Sequence, residues 1–322
     1  MRQFAKPTIV VSKCLEFDAC RYNGEMIPDV TIRNLQPFVT FIPVCPEVEI
    51  GLGTPRETIR IVEENGENRL VQPSTREDVT EKMEQFSNDF LQTIPDVDGF
   101  ILKNRSPSCG TRDVKIYSSF EKAPAKGKGA GLFGGAVVKN FSHLPIEEEG
   151  RLSNFIIREH FFTRLFTIAY YKMIKHNKNM KELVSFQSDN KYLFMAYNQV
   201  KQKQLGRIIA NQKNEKIEVV FENYEKTLYE LFMRAPRYTS NVNVCEHIFG
   251  YFKTKLKKQE KDHFIELLQK YAEKKIPLSS LLTILKSWAI RFDEKYLLRQ
   301  TYFEPYPEAL VEISDSGKGR DY

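Results

Sequence analysis

Three stretches, TIVVSKC (8–14), FVTFIPVCPE (38–47) and GFILKNRSPSCG (99–110), decide how this chain folds. Each is a short run rich in Val, Ile and Phe that ends in a polar loop carrying a cysteine: Cys14, Cys45 or Cys109. Strands are expected over 8–11, 38–44 and 99–102, and their alternation with helical patterns predicts an α/β layer with an open, mostly parallel sheet. In such a sheet the carboxyl ends of the strands face one crevice, so cysteines far apart in sequence meet there. Three thiolates hold three irons of a cubane cluster and leave the fourth iron open to a substrate.

Working outward, a helix is expected between the second and third strands. Ser74 is placed as its N-cap with Glu77 three residues on, and Val79, Met83, Phe86, Phe90 and Ile94 follow at helical spacing. It makes a right-handed crossover between parallel strands. The tract AKGKGAGLFGGAVV (125–138) holds too many glycines for a helix interior and reads as a mobile loop leading into a final strand; it either touches phosphate or forms a flexible turn. The acidic stretch IEEEGRLSN (146–154) marks the boundary between two domains, 1–150 and 151–322. Beyond it the pattern becomes all-α. Phe155, Ile156, Phe162, Phe166 and Ala169 form one apolar stripe, and Tyr192, Leu193, Met195, Ala196, Val200 and Leu205 form the next. Further helices are expected over 217–233, 242–256, 261–274 and 278–291, and the tail DSGKGRDY (315–322) is too polar to pack.

With 41% hydrophobic and 28% charged residues, the 322-residue chain has the composition of an ordinary globular protein. No apolar run is long enough for a membrane span, and the first residues do not read as a signal peptide, so a cytoplasmic location is expected. The net charge of +6 is unevenly divided. Residues 1–150 carry 18 Lys and Arg against 22 Asp and Glu, and residues 151–322 carry 30 against 20, which is −4 and then +10. The basic second part fits a polyanionic partner, because each neutralised phosphate releases counterions; the plain alternative is a solvated basic surface.

Five cysteines are an odd number, and in a reducing compartment they point to metal binding or catalysis rather than a disulfide framework. Pro43 and Pro46 fix the chain around Cys45, and Gly110 lets backbone approach Cys109 closely. Lys13 and Arg21 near Cys14 are expected to lower thiol pKa values and offset cluster charge, and Arg105 and Arg112 near Cys109 to add positive field. The plainer reading takes each cysteine as a small buried residue. Zinc competes as well, but the short Cys and His spacings it favours are missing, and His143 is the one histidine before residue 150. Cys20 as a fourth ligand would close the site and leave an electron carrier; it is placed as a supporting or structural residue. Cys245, among Val242, Val244 and Ile248, reads as packing. A further reading is a non-catalytic nucleic-acid-binding protein whose cysteines hold a structural metal.

The segments VSKCL, CRYNG, PVCPEVEIGLGTPR and LKNRSPSCG resemble the signature of the thiouracil desulfidase family over about residues 6–145. The segments NKYLFMAYNQVKQKQLG, HIFGYFKTKL and YLLRQTYFEPYPEAL are similar to the YbgA-like helical domain often fused to it. The combination resembles the fused desulfidases that remove sulfur from 4-thiouridine in tRNA. The resemblance implies a 4Fe-4S cluster held by Cys14, Cys45 and Cys109 with one iron open, to which the thiocarbonyl sulfur binds while water attacks the ring carbon. It implies Glu47 as general acid/base, with Ser106 and then Ser108 orienting the water or the base. Free thiouracil or a thiolated nucleotide is the alternative substrate. Phe17 departs from the glycine common in single-domain members, and Gln187 and Tyr197 stand where relatives carry histidine, so the helical part is expected to bind rather than to catalyse. For tRNA, phosphate contacts are expected from Lys253, Lys255, Lys257, Lys258 and Lys261, with Lys201, Lys203 and Arg207 as a second basic strip.

Overall fold

The computed structural model describes residues 2–121, 124–211 and 214–312. Its strands are β1 (Thr8–Ser12), β2 (Thr40–Val44), β3 (Arg60–Glu64), β4 (Glu67–Gln72), β5 (Glu77–Asp78), β6 (Gly99–Leu102), β7 (Val114–Tyr117), β8 (Ala125–Gly129) and β9 (Ile146–Glu148). Four of them form a parallel sheet in the order β2-β1-β6-β9. Its two central strands read as unbroken apolar runs because both faces are covered: Ile9, Val10, Val11, Phe100, Ile101 and Leu102 are fully buried. β2 lies at the sheet edge, where Pro43 is tolerated without breaking a central ladder.

A second sheet, in the order β5-β4-β3-β7-β8, was not expected. It is mixed, with β3 parallel to β7 and the remaining pairs antiparallel. β3 and β4 form a hairpin closed by Asn65 and Gly66, both in the left-handed region with φ of 52° and 86°. This is the backbone that a tight two-residue hairpin turn demands, and Asn-Gly is the pair that adopts it most readily.

Two local expectations need correction. Ser74 caps nothing: it lies in a turn, Glu77 belongs to β5, and the helix runs Thr80–Thr93 with Met83 and Leu91 buried. The glycine tract is no mobile loop, since 125–129 is β8 and Leu132–Phe141 is a helix. The reason is tertiary, as the glycines let this helix pack directly on the Cys109 loop. The acidic stretch at 146–154 supplies β9 and the short helix Glu149–Leu152.

The described residues divide into two compact units, one comprising 2–169 with 309–312, the other Tyr170–Glu308. The second unit is helical. Its main helices are Met180–Asp189, Lys191–Tyr197, Gln199–Ala210, Ile217–Leu231, Tyr238–Phe249, Lys258–Ala272 and Leu278–Arg291. The expected stripe from Tyr192 to Leu205 is split at Asn198, whose side chain accepts from the N–H groups of Val200 and Lys201 and starts a new helix. The core is aromatic: Tyr171 stacks on Tyr224 at 5.4 Å, Phe186 packs against both, and Phe194 and Phe232 extend the cluster from Phe186. Gln187 is buried in this core and accepts from the Tyr224 hydroxyl at 2.6 Å. Cys245 is fully buried, 3.9 Å from the Tyr302 hydroxyl. The tail 315–322 lies outside the described residues. Among the described residues no helix is long and apolar enough to cross a membrane.

Candidate active site

Val44, the last residue of β2, pairs in register with Ser12, the last residue of β1. Cys45 therefore leaves the sheet beside the Cys14 loop. It precedes the short helix Pro46–Glu49, whose first position suits proline because no N–H is needed there. The Cys45 carbonyl accepts from Val48 N–H at 3.0 Å and Glu49 N–H at 3.1 Å, and this single turn presents the Glu47 side chain toward the Cys109 loop. Ser108 Oγ donates to Glu47 Oε1 at 2.5 Å, Ser106 Oγ stands 3.4 Å from the same oxygen, and the two hydroxyls are 2.9 Å apart. Ser106 Oγ also accepts from the N–H of Cys109 at 3.1 Å. The structure thus brings Glu47, Ser106 and Ser108 into one hydrogen-bonded group adjoining Cys109.

The thiols gather at the same end of the parallel sheet. Cys20 Sγ interacts with both Cys14 and Cys45, while Cys109 lies within electrostatic reach of Cys45 and Glu47. Cys45 Sγ is 3.8 Å from the Cys20 carbonyl, and Ser108 Oγ is 3.8 Å from Cys109 Sγ. Cys20, placed by sequence outside the ligand set, touches two of its three expected members. All five cysteines are free.

The pKa values of Cys20, Cys45 and Cys109 are raised, not lowered, and the nearby cations are engaged elsewhere. Lys13 pairs with Asp18 at 2.8 Å, and Arg21 lies 3.5 Å from Glu25. The contact with Cys14 raises Cys20 to about 11. Contact with Cys20, reinforced by burial, pushes Cys45 well above the ordinary thiol range. Burial pushes Cys109 up to about 12, against hydrogen bonds from Ser12 and Ser108 that favour the thiolate. These are the shifts expected of thiols crowded together and buried.

Among the described residues no three His, Cys, Asp or Glu side chains stand in metal-holding geometry. The donor set nevertheless suits a thiolate-ligated group in its chemistry. Cys14, Cys45 and Cys109 follow three adjacent parallel strands, and the Ser12 hydroxyl is within reach of the Cys109 sulfur.

Several supporting residues had no reading in the sequence. Gly131 and Gly134 seat the helix Leu132–Phe141 on the Cys109 loop: Gly131 N–H donates to Gly110 O at 2.7 Å and Gly134 N–H to Ser108 O at 2.9 Å. These amino-terminal N–H groups are occupied by loop carbonyls, so they are not available to a phosphate. Glu148 Oε1 accepts from Thr111 N–H at 2.7 Å, and Glu149 accepts from Asn104 N–H at 2.7 Å and from Lys103, so the end of β9 braces both sides of the loop. Arg56 grips Glu47 through two nitrogens at 2.9 and 2.6 Å. An arginine in a turn of glycine and proline carries no periodic signal, whereas the run of three glutamates after an apolar residue was a visible hint.

Residues 9–149 match the family model described as 2-thiouracil desulfurase. Over 110 residues the chain is 36% identical to the uncharacterized protein YbbK of Bacillus subtilis (strain 168), covering 32% of this chain and 73% of that protein. The chain belongs to the 2-thiouracil desulfurase family. The desulfurase region runs from β1 to β9 and contains Cys14, Cys20, Cys45, Cys109, Glu47, Ser106 and Ser108. Residues 191–307 match a second model, the protein of unknown function DUF1722. The uncharacterized protein YbgA of Escherichia coli (strain K12) is 22% identical over 156 residues, covering 48% of this chain and 92% of YbgA. Among solved structures, the [4Fe-4S]-dependent thiouracil desulfidase TudS is 26% identical, with a TM-score of 0.35, covering 46% of this chain and 93% of TudS.

Proposed function

We propose that this member of the desulfurase family is a hydrolytic desulfidase that converts a thiolated uracil base to uracil, with 4-thiouridine in tRNA as its substrate. The observation that carries the reading is the Glu47–Ser108–Ser106 group set against thiols that gather at one end of a parallel sheet. A [4Fe-4S] group on Cys14, Cys45 and Cys109 would supply a soft, electron-withdrawing iron position for the sulfur of the base.

The protein's own groups handle the protons. Water must add to the ring carbon, giving up protons as the C–O bond forms, and sulfur must leave as hydrogen sulfide as the C–S bond breaks. No electrons are gained or lost overall. Glu47 Oε1 takes the proton of the attacking water, directly or across the 2.5 Å bond to Ser108, and returns it to the leaving sulfur or ring nitrogen. Ser106, bonded to Ser108 and to the Cys109 N–H, ties that relay to the thiol loop.

The basic second part supports tRNA. Lys253, Lys258 and Lys261 make no ion pair among the described residues and Lys257 only lies within electrostatic reach of Glu260, whereas Lys255 pairs with Glu294 and Lys201 with Glu230. Unpaired cations are the ones that neutralise phosphate, and a base extruded from the RNA is what the thiol site would take. The test is anaerobic incubation of iron- and sulfide-loaded protein with tRNA containing 4-thiouridine, following near-ultraviolet absorbance and released sulfide. Both signals should change together. Turnover of free thiouracil with thiolated tRNA left intact would replace the tRNA reading with the free-base one, and zinc bound in place of iron in the purified protein would remove the catalytic reading.

A further inference from the structure

Arg56 is the least exposed charged partner in the group around Glu47, with its side chain only 4% exposed against 13% for Glu47. Each guanidinium nitrogen has a job. Nε and Nη2 both donate to Glu47 Oε2, at 2.9 and 2.6 Å, while Nη1 donates to the carbonyls of Cys20 at 3.0 Å and Gly53 at 2.8 Å. Arg56 N–H is fixed as well, donating to the Tyr22 carbonyl at 2.8 Å. One planar cation therefore ties together the Cys20 loop, the turn at Gly53 and the helix turn that carries Glu47. A lysine, with its single nitrogen, cannot aim two N–H groups from one plane at a single carboxylate oxygen while also satisfying two carbonyls.

The two carboxylate oxygens are thereby made unequal. Oε2 is saturated by Arg56, and Oε1 alone faces Ser106 and Ser108. The geometry points to Arg56 as a positioning residue that selects Oε1 of Glu47 as the proton-handling atom and holds it against Ser108. It rests on the proposed role of Glu47 and adds which oxygen works and what orients it. Arg56 touches neither substrate nor cluster; its effect on turnover passes through the carboxylate, while its bonds to the Cys20 and Gly53 carbonyls hold the surrounding backbone.

A double-mutant cycle on the loaded, full-length protein tests this. The variants are Arg56→Met, Arg56→Lys, Glu47→Gln and Glu47→Gln with Arg56→Met, each measured for kcat, KM, bound iron and sulfide, and thermal midpoint. Arg56→Met should lower kcat by roughly 100-fold, the low end of what a general acid/base contributes, with KM and iron content within about twofold of wild type. Arg56→Lys should fall between the two, and added ethylguanidinium should restore part of the activity of Arg56→Met. In the Glu47→Gln background the same change should cost nothing further. An equal loss in both backgrounds would overturn the inference, as would loss of bound iron in Arg56→Lys at an unchanged thermal midpoint. If Glu47→Gln kept full turnover, the reading of Glu47 itself would fall; a dead Glu47→Gln beside a fully active Arg56→Met would remove the positioning role alone.

Discussion

Gly134 lies against the Cys109 backbone so closely that a Cβ at this position would stand 2.4 Å from the Cys109 carbonyl oxygen and 2.3 Å from that of Gly110. Both obstacles are backbone, so neither can rotate away. Elsewhere in a helix, replacing glycine by alanine is expected to stabilise by about 0.5–1 kcal/mol. Here the sign reverses. Gly134→Ala should lower the thermal midpoint and the iron bound on loading, because the helix Leu132–Phe141 is forced off the thiol loop. Gly135→Ala is the control: its nearest neighbour is the Ala130 side chain at 3.4 Å, and it should retain both properties. A Gly134→Ala protein with normal melting and normal iron would show that the helix does not set the loop.

The cysteines separate into groups with different expected outcomes. Ser in place of Cys14, Cys45 or Cys109 should abolish iron retention and turnover. Cys245→Ala should leave iron unchanged, since that residue is enclosed in the helical core against Tyr302. Cys20 is the informative case, because it contacts Cys14 and Cys45 yet follows no strand end directly. Cys20→Ala is expected to keep the full iron complement. Iron lost from that variant would make the ligand set four thiols and eliminate an open iron position.

What the sequence revealed and what it hid have separate physical causes. β1 and β6 were legible because strands covered on both faces become continuous apolar runs, and the cysteines after them were exposed to the same reading. The second sheet was missed although Asn65-Gly66 announces its hairpin; Glu63, Glu64 and Glu67 flank that turn and hide the apolar alternation. The helix at Gly134 was illegible in principle, for its glycines answer a contact with residue 109 and not a local preference. Asn198 marked a helix start that the stripe through Tyr192 and Leu205 concealed. The motif positions singled out Glu47, Ser106 and Ser108, but the partner that orients the carboxylate, Arg56, becomes visible only in three dimensions.

The raised thiol pKa values set a pH dependence for the metal-free protein. With Cys20 at about 11 and Cys109 at about 12, both remain protonated at neutral pH and react slowly with alkylating reagents, which attack the thiolate. Iodoacetamide labelling followed by mass spectrometry should show both protected at pH 7.5 relative to the unfolded chain. Folding raises these pKa values above the ordinary 9.0, so the stability tied to them is present below pH 9 and declines as pH climbs through 11 to 12. Loading must displace the protons, so iron uptake should release acid and become more favourable with rising pH. Rapid labelling of Cys109 at neutral pH would contradict its burial.

Salt separates the two candidate substrates. If Lys253, Lys257, Lys258 and Lys261 neutralise tRNA phosphates, the apparent affinity should fall steeply with ionic strength, with a log–log slope of about −0.7 to −0.9 for each phosphate contact. Replacing these four by Gln should flatten that slope by about 3 to 3.5 at most and weaken tRNA binding in low salt. Turnover of free 4-thiouracil by the same variant should be unaltered, because none of the four belongs to the desulfurase region at 9–149. Lys255→Gln and Lys201→Gln serve as comparisons, since both lysines already answer a glutamate in the protein and should contribute less to the slope. An unchanged slope in the fourfold variant would move the tRNA contact to some other surface; no salt dependence in the wild type would leave the free base as the substrate.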